Sequence, residues 1–312
     1  MRDEKLMLSC RMRVLVTGGS GFVGTEILRR LVADGAEVRC LSRQRRSTVA
    51  GVLPVSANLF DSGALERAMR GCDAVIHLVG IISEVGDQTF ERIHVEGTRR
   101  VLAAARATGV GRVVHMSAMG ARENAVAWYH QTKWAAEELV RHSGLTWTIL
   151  RPSLIYGPGD GVVSLFEAIS RFSPVVPVIG SGRNLIQPVA VEDVARTFVQ
   201  SLTLASVEGQ TLEVGGPDRL EFRRLVEDIL EGLHRRRCLI SLPVGLARLQ
   251  AMLLEFLYPA LLRQAPPLNC DQILMLAEDN VAEASATWRE FGFEPIGWKA
   301  GLARRLAVKS QS

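Results

Sequence analysis

An α/β fold is predicted for this chain, built as a doubly wound parallel sheet with a smaller, mainly helical C-terminal lobe. Three observations predict it. Short β-branched runs alternate with helical patterns through the first half, the first run opens onto a glycine-rich turn and a helix, and after Arg151 the alternation gives way to mainly helical spacing. Alternation of this kind is the pattern of parallel strands joined by crossover helices.

The elements follow in order. Val14-Leu15-Val16 lies in a strand over 13–17, Thr17-Gly18-Gly19-Ser20-Gly21-Phe22-Val23-Gly24 forms the turn, and Glu26-Ile27-Leu28-Arg29-Arg30-Leu31-Val32 continues as a helix closed by Asp34-Gly35. Further strands are read at 37–41, 51–55, 74–78, 112–116 and 146–150, with helices at 63–70, 90–108 and 127–142. Ser143-Gly144 ends the last of these helices, because glycine readily takes the left-handed conformation that closes one. Gly157-Pro158-Gly159-Asp160-Gly161 then breaks the chain. A short helix at 163–172 and the proline-rich Ser173-Pro174-Val175-Val176-Pro177 come next, and 187–191 and 211–214 are read as late strands returning to the sheet. The predicted dinucleotide-binding domain is 12–155 plus about 185–215, and the smaller substrate or partner lobe is about 156–184 and 216–312. Residues 1–11 read as a poorly ordered tail, or as residues before a true start at Met12.

With 312 residues, 47% hydrophobic and 22% charged, the chain suits a soluble globular protein. A net charge of +4 gives no argument for nucleic acid, and none is expected as a partner. The five cysteines (Cys10, Cys40, Cys72, Cys238, Cys270) lack metal-ligand spacing, which points to a reducing compartment and no structural metal. No signal peptide or membrane span is read. The expected location is cytoplasmic, with a peripheral place at the inner face of a membrane as an option.

The glycine turn carries the first chemistry. Its backbone amides can approach a pyrophosphate, and the following helix adds partial positive charge. Alternatively, the glycines serve strand–helix packing alone. The strand before and the helix after favour a dinucleotide. The second strand ends in Ser42-Arg43-Gln44-Arg45-Arg46 without a carboxylate. A carboxylate there would bond a ribose 2′-OH, whereas Ser42, Arg43 and Arg45 suit a 2′-phosphate. NADP(H) is therefore favoured over NAD(H), against the plainer reading of an exposed basic loop. Topology adds Asn58 and Leu59 near the adenine edge. It also adds Leu78, Val79 and Gly80 at the end of the fourth strand, Met116 at the end of the fifth, and Pro152, Ser153 and Leu154 after the sixth.

Tyr129 and Lys133 stand four apart in 127–142 and share one helix face. A neighbouring ammonium lowers a phenol's pKa and makes it a usable acid or base. The glycine turn, this pair and Leu150-Arg151-Pro152-Ser153-Leu154-Ile155-Tyr156-Gly157-Pro158-Gly159 together resemble the short-chain dehydrogenase/reductase superfamily, in its extended and atypical branches. His94 stands where that family usually has an asparagine. Further segments resemble the bacterial relatives of the alpha-subcomplex subunit 9 of respiratory complex I. They are His77-Leu78-Val79-Gly80-Ile81-Ile82, Val114-His115-Met116-Ser117-Ala118, Gln187-Pro188-Val189-Ala190-Val191-Glu192-Asp193-Val194-Ala195, Asp271-Gln272-Ile273-Leu274 and Asp279-Asn280-Val281. The resemblance implies Tyr129 as acid/base, with Lys133 as its tuner and ribose ligand. It also implies a third group after the fifth strand, where Ala118 stands and Ser117 is one residue early.

That departure, with a short span to Tyr129, leaves several readings. The first is an NADP(H)-binding module of the atypical type, an accessory or sensing unit near a respiratory or membrane complex. The alternative is an active NADPH-dependent oxidoreductase using Tyr129, Lys133 and a displaced Ser117. A sugar-nucleotide epimerase or dehydratase fits worse, since its family holds NAD. The segment 235–262, with Arg235-Arg236-Arg237 followed by a leucine-rich stretch, is a candidate surface for a membrane or a protein complex. It reads equally as a core helix of the small lobe, one that Pro259 would kink or end.

Overall fold

The computed structural model describes residues 12–42, 49–262 and 265–309. Along the chain run β1 (Arg13–Thr17), α1 (Phe22–Ala33), β2 (Glu37–Ser42), β3 (Val52–Ser56), α2 (Ser62–Met69), β4 (Ala74–His77), α3 (Gly97–Thr108), β5 (Arg112–Met116), α4 (Trp128–Arg141) and β6 (Thr146–Pro152). There follow β7 (Ile155–Tyr156), α5 (Gly161–Phe172), β8 (Val175–Ile179), β9 (Leu185–Ile186), β10 (Val189–Ala190), α6 (Val191–Gln200) and β11 (Gln210–Val214). The rest comprises β12 (Leu220–Glu221), α7 (Phe222–Gly232), β13 (Cys238–Leu242), α8 (Val244–Leu262), α9 (Cys270–Leu276), α10 (Ala284–Phe291) and α11 (Trp298–Lys309).

Seven strands form one sheet in the order β11-β6-β5-β4-β1-β2-β3, every neighbouring pair parallel. The central strands are apolar on both faces because helices cover both. Val14, Val16, Val114 and Leu150 pack with Ile27, Leu31 of α1 and Val194, Phe198 of α6. Leu15, Val75, Val113 and Ile149 pack with Leu65 of α2, Leu102 of α3 and Val140 of α4. Pro54 lies in β3 at the sheet edge, where a residue without an N–H is tolerated. This is the doubly wound α/β, Rossmann-like arrangement expected, with a C-terminal helical region.

Several local expectations change. Of 187–191, only Val189 and Ala190 are extended, and they pair with β7 rather than joining the main sheet. Pro188 offers no N–H for a ladder there, while Gln187 is tied to Gly216 by its side-chain Nε2, which donates to Gly216 O at 2.6 Å, and by its backbone O, which accepts from Gly216 N–H at 3.2 Å. The proline-rich stretch contributes β8, which pairs with β13, so the later region holds short strands as well as helices. Pro259 does not end α8, which continues to Leu262. The helix read over 90–108 opens with a π-helical turn, Glu91–Glu96. A third cluster, including Tyr156, Phe166, Val178, Phe222, Ile229 and Trp298, gives the C-terminal region its own core.

Candidate functional site

At the carboxyl edge of the sheet, Thr17 of β1 lies in register with His77 of β4, and His77 with His115 of β5. The glycine turn starts here. Gly18 has φ +77°, and a Cβ on it would lie 3.0 Å from the Val79 amide nitrogen. A Cβ on Gly24 would lie 2.4 Å from Gly18 O and 2.6 Å from Gly19 Cα. Glycine is thus required for both the turn and the approach of α1 to it. Helix α1 begins after Gly21 with no side-chain cap. The expected lining residues Leu78, Val79 and Gly80 adjoin this turn, with Leu78 N–H bonded to Thr17 O at 3.0 Å. These features form a cradle that fits a dinucleotide pyrophosphate.

Ser20, Phe22 and Val23 lie in the same turn and first helical residues, and Phe22 meets the Gly157–Gly159 break. Ser42 ends β2; Arg43 and Arg45 lie outside the described residues. Asn58 Oδ1 accepts from the Phe60 N–H at 3.0 Å. Leu59 is buried, its Cδ2 2.8 Å from where a Gly97 Cβ would stand. Pro152 O accepts from Met119 N–H. Leu154 O accepts from Val189 N–H. The Ser153 hydroxyl donates to both oxygens of Asn280, its backbone O at 3.2 Å and its side-chain Oδ1.

A buried hydrogen-bond chain links the glycine turn to α4. The Thr98 hydroxyl donates to His94 O at 2.5 Å, so it accepts from His77 Nε2 at 3.1 Å. His77 Nδ1 then accepts from the Thr17 hydroxyl at 2.6 Å. Likewise the Thr132 hydroxyl donates to Tyr129 O at 3.0 Å and accepts from His94 Nδ1 at 3.0 Å. His94 Nε2 faces both backbone groups of Ile81, its N–H and its O, each at 3.1 Å. The His77 bonds fix the neutral tautomer of that ring, with its proton on Nε2. Burial and the Lys133 charge push His77 down to about 3 and His94 to about 2. Both rings are neutral structural links at physiological pH.

Lys133 is buried and its Nζ donates to Met116 O at 2.5 Å. Burial lowers its pKa to about 8, opposed by the Glu137 carboxylate. Glu137 is itself fully buried and held by Arg151, through Nε at 2.8 Å and Nη2 at 2.7 Å, and by Arg141 at 2.6 Å. A Cβ on Gly80 would lie 3.5 Å from His94 Nε2 and 3.8 Å from Lys133 Nζ. The Tyr129 ring meets Phe90, His94 and His130 edge-on, with centroids 5.4–5.8 Å apart. Burial pushes its phenol up to about 12. Burial alone sets this shift, and the lowering expected of Lys133 is absent in this geometry. Ser117 is buried and its hydroxyl has no hydrogen-bond partner, while Ala118 beside it is partly exposed.

Some site members escape sequence reading. The i, i+4 series Lys133, Glu137, Arg141 was a usable signal for Glu137. Nothing local marks Thr98 or Thr132 as links, because their partners lie on other elements. Among the described residues no His/Cys/Asp/Glu group could hold a metal ion.

Residues 14–215 match the NAD dependent epimerase/dehydratase family. A 2-alkyl-3-oxoalkanoate reductase of Stenotrophomonas maltophilia is 28% identical, over 96% of this chain and 99% of that one. A 4-hydroxy-2-methyl-3-oxo-4-farnesyl-3,4-dihydroquinoline-1-oxide ketoreductase of Stigmatella aurantiaca is 32% identical over 90% and 92%. The mitochondrial NADH dehydrogenase [ubiquinone] 1 alpha subcomplex subunit 9 of Arabidopsis thaliana is 27% identical over 88% and 71%. A ceramide reductase of Caulobacter vibrioides is 36% identical, over 60% of this chain and 59% of that one. Among solved structures, a UDP-glucose 4-epimerase of Thermotoga maritima superposes with a TM-score of 0.76 at 20% identity, over 96% and 99% of the two chains. A dTDP-glucose 4,6-dehydratase of Streptomyces venezuelae with NAD bound gives 0.73 at 23% identity, over 96% and 98%. The fold is one that binds nicotinamide dinucleotides.

Proposed function

The chain belongs to the NAD dependent epimerase/dehydratase family, and from that membership we propose that it is an NADPH-dependent reductase of a keto group on a substrate with an apolar tail. The observation that supports this most is Tyr129 beside the buried Lys133–Met116–Gly80–His94 arrangement, next to the glycine turn. The dinucleotide, when bound, supplies the hydride. As the carbonyl carbon takes it and the C=O π bond breaks, Tyr129 gives its phenolic proton to the oxygen. Burial keeps the phenol protonated and makes it a weaker acid than a free one, but the oxygen of the reduced carbonyl is a stronger base still and can take its proton. Lys133, charged below about 8, returns a proton to the phenolate. Ser117, as the displaced third group, and Ala118 leave the substrate oxygen dependent on Tyr129.

The preference for NADPH rests on Ser42, Arg43 and Arg45 at the end of β2, without a carboxylate. Arg43→Ala is expected to weaken NADPH binding by about tenfold and leave NADH binding unchanged. The apolar tail is supported by relatives named for alkyl-, farnesyl- and ceramide-bearing compounds, and by α8. That helix turns Ala247 and Ala251 inward and leaves Leu246, Leu249, Leu253 and Phe256 exposed. Large exposed apolar faces mark interaction sites. With Arg236 exposed close by in the chain, α8 suits an anionic membrane surface from which such a substrate is drawn. The protein would then work at the inner face of a membrane. No helix among the described residues is long and apolar enough to cross one.

The test is NADPH oxidation with alkyl 3-keto acids and longer-chain ketones, with and without phosphatidylglycerol vesicles. Turnover lost in Tyr129→Phe supports the reading; no turnover with any ketone sinks it. A second reading, a nucleotide-holding module beside a membrane complex, is favoured by the buried, unpartnered Ser117 hydroxyl. Native mass spectrometry separates the two. Dinucleotide that stays bound through purification and is not consumed by ketones supports the module.

A further inference from the structure

Helix α4 carries Tyr129 as its second residue, yet nothing at its own start caps it. The residue before it is Ala127, which has no side-chain acceptor. An uncapped first turn leaves orphan amides and frays. Here the Trp128 N–H donates to Asp271 Oδ1 at 2.9 Å, from 143 residues further along the chain. The Tyr129 amide also draws on this carboxylate, and burial holds the Asp271 pKa above its ordinary value.

Asp271 is itself firmly placed. It is the second residue of α9, whose start is closed by a capping box between Asn269 and Gln272. Asn269 Nδ2 donates to Ile82 O and to Ser83 Oγ, both at 2.6 Å, in the loop that follows Gly80. The Cys270 N–H donates to Glu255 Oε1 of α8 at 2.8 Å. Ile273 is buried against Ala247 and Ala251 of the same helix. One short segment therefore touches the loop after β4, the start of α4 and the inner face of α8.

We propose that Asp271 is a positioning residue for Tyr129. The C-terminal region supplies the cap that α4 lacks, and so holds the phenol in register with Met116 and Lys133. The role of that register in turnover rests on the reductase reading above.

The experiment compares wild type, Asp271→Ala and Asp271→Asn by hydrogen exchange and steady-state kinetics on the full chain. Asparagine keeps an acceptor oxygen at the cap. In D271A, amides 128–132 are expected to exchange about five- to tenfold faster, while those of 13–33 stay unchanged. The kcat is expected to fall about tenfold or more, with KM and NADPH affinity within about threefold. D271N is expected to restore most of both. Unchanged exchange in D271A overturns the proposal, and so does an unchanged kcat where exchange has risen. A parallel loss of NADPH affinity also overturns it, since that marks general unfolding. A wild-type chain inactive on every ketone takes down the reductase reading instead, and the exchange of α4 still decides whether Asp271 holds the turn.

Discussion

Two helices meet at this site, and their starts are treated oppositely. Helix α1 begins after Gly21 with no side-chain cap. Helix α4 begins after Ala127, equally without a cap of its own, but receives Asp271 from a distant element. Helices α2, α5 and α9 cap themselves, through Asp61, Asp160 and Asn269. The difference teaches what each end is for. A cap on α1 would occupy amides suited to a pyrophosphate. At α4 those amides need a partner, because Tyr129 sits in the first turn, and on the proposed reductase reading a reacting group must be held in place.

The sharpest test of the second half of that comparison is Tyr129→Phe. It is expected to lower kcat by about 10²–10⁴-fold and to leave NADPH affinity within about threefold, read by turnover and by a fluorescence titration. The first half is broken by giving α1 the cap it lacks. Gly21 has φ −77° and no neighbour nearer its Cβ position than Gly18 O at 3.4 Å. Gly21→Asp is thus expected to fold as stably as wild type. It should lose dinucleotide affinity by about 10²-fold through like-charge repulsion, and retained affinity would show that the phosphates lie elsewhere.

Lys133 sharpens the comparison through pH. Its folded pKa is lowered from 10.5 to about 8 by burial. Between those values the unfolded chain binds the extra proton, so stability rises with pH across that window. The gain is about 3 kcal/mol. Urea unfolding from pH 7 to 10.5 should show this rise in wild type and lack it in Lys133→Met. The smallest effect comes from Ala127→Ser placed in the Asp271→Ala background. A serine at the cap position should recover about fivefold of the lost protection of α4, seen by hydrogen exchange. No recovery would mean that Asp271 matters for something other than the cap.

Where the site's parts are local, they were legible. The strand, glycine turn and helix of 13–33 lie within a few residues of one another, and Tyr129 and Lys133 are one helical turn apart. The parallel sheet follows from the same alternation. Expectations that depended on distant neighbours fared less well. Val189 and Ala190 pair with β7 because of what Ser153 to Tyr156 do, and the strand β8 needs β13 as its partner.

By itself, then, the sequence determined the doubly wound sheet, the glycine turn between β1 and α1, and the placing of Tyr129 and Lys133 one helical turn apart, because hydrophobic period and glycine geometry act over short spans. The tertiary structure alone decided that Thr17, His77, Thr98, His94 and Thr132 are linked in one hydrogen-bond chain. It alone buried Lys133 between Gly80 and Met116, and brought Asp271 to the start of α4. Hydrogen-bond partners on separate elements leave no period or spacing in the chain; they exist only once packing has set where each backbone end must find its acceptor.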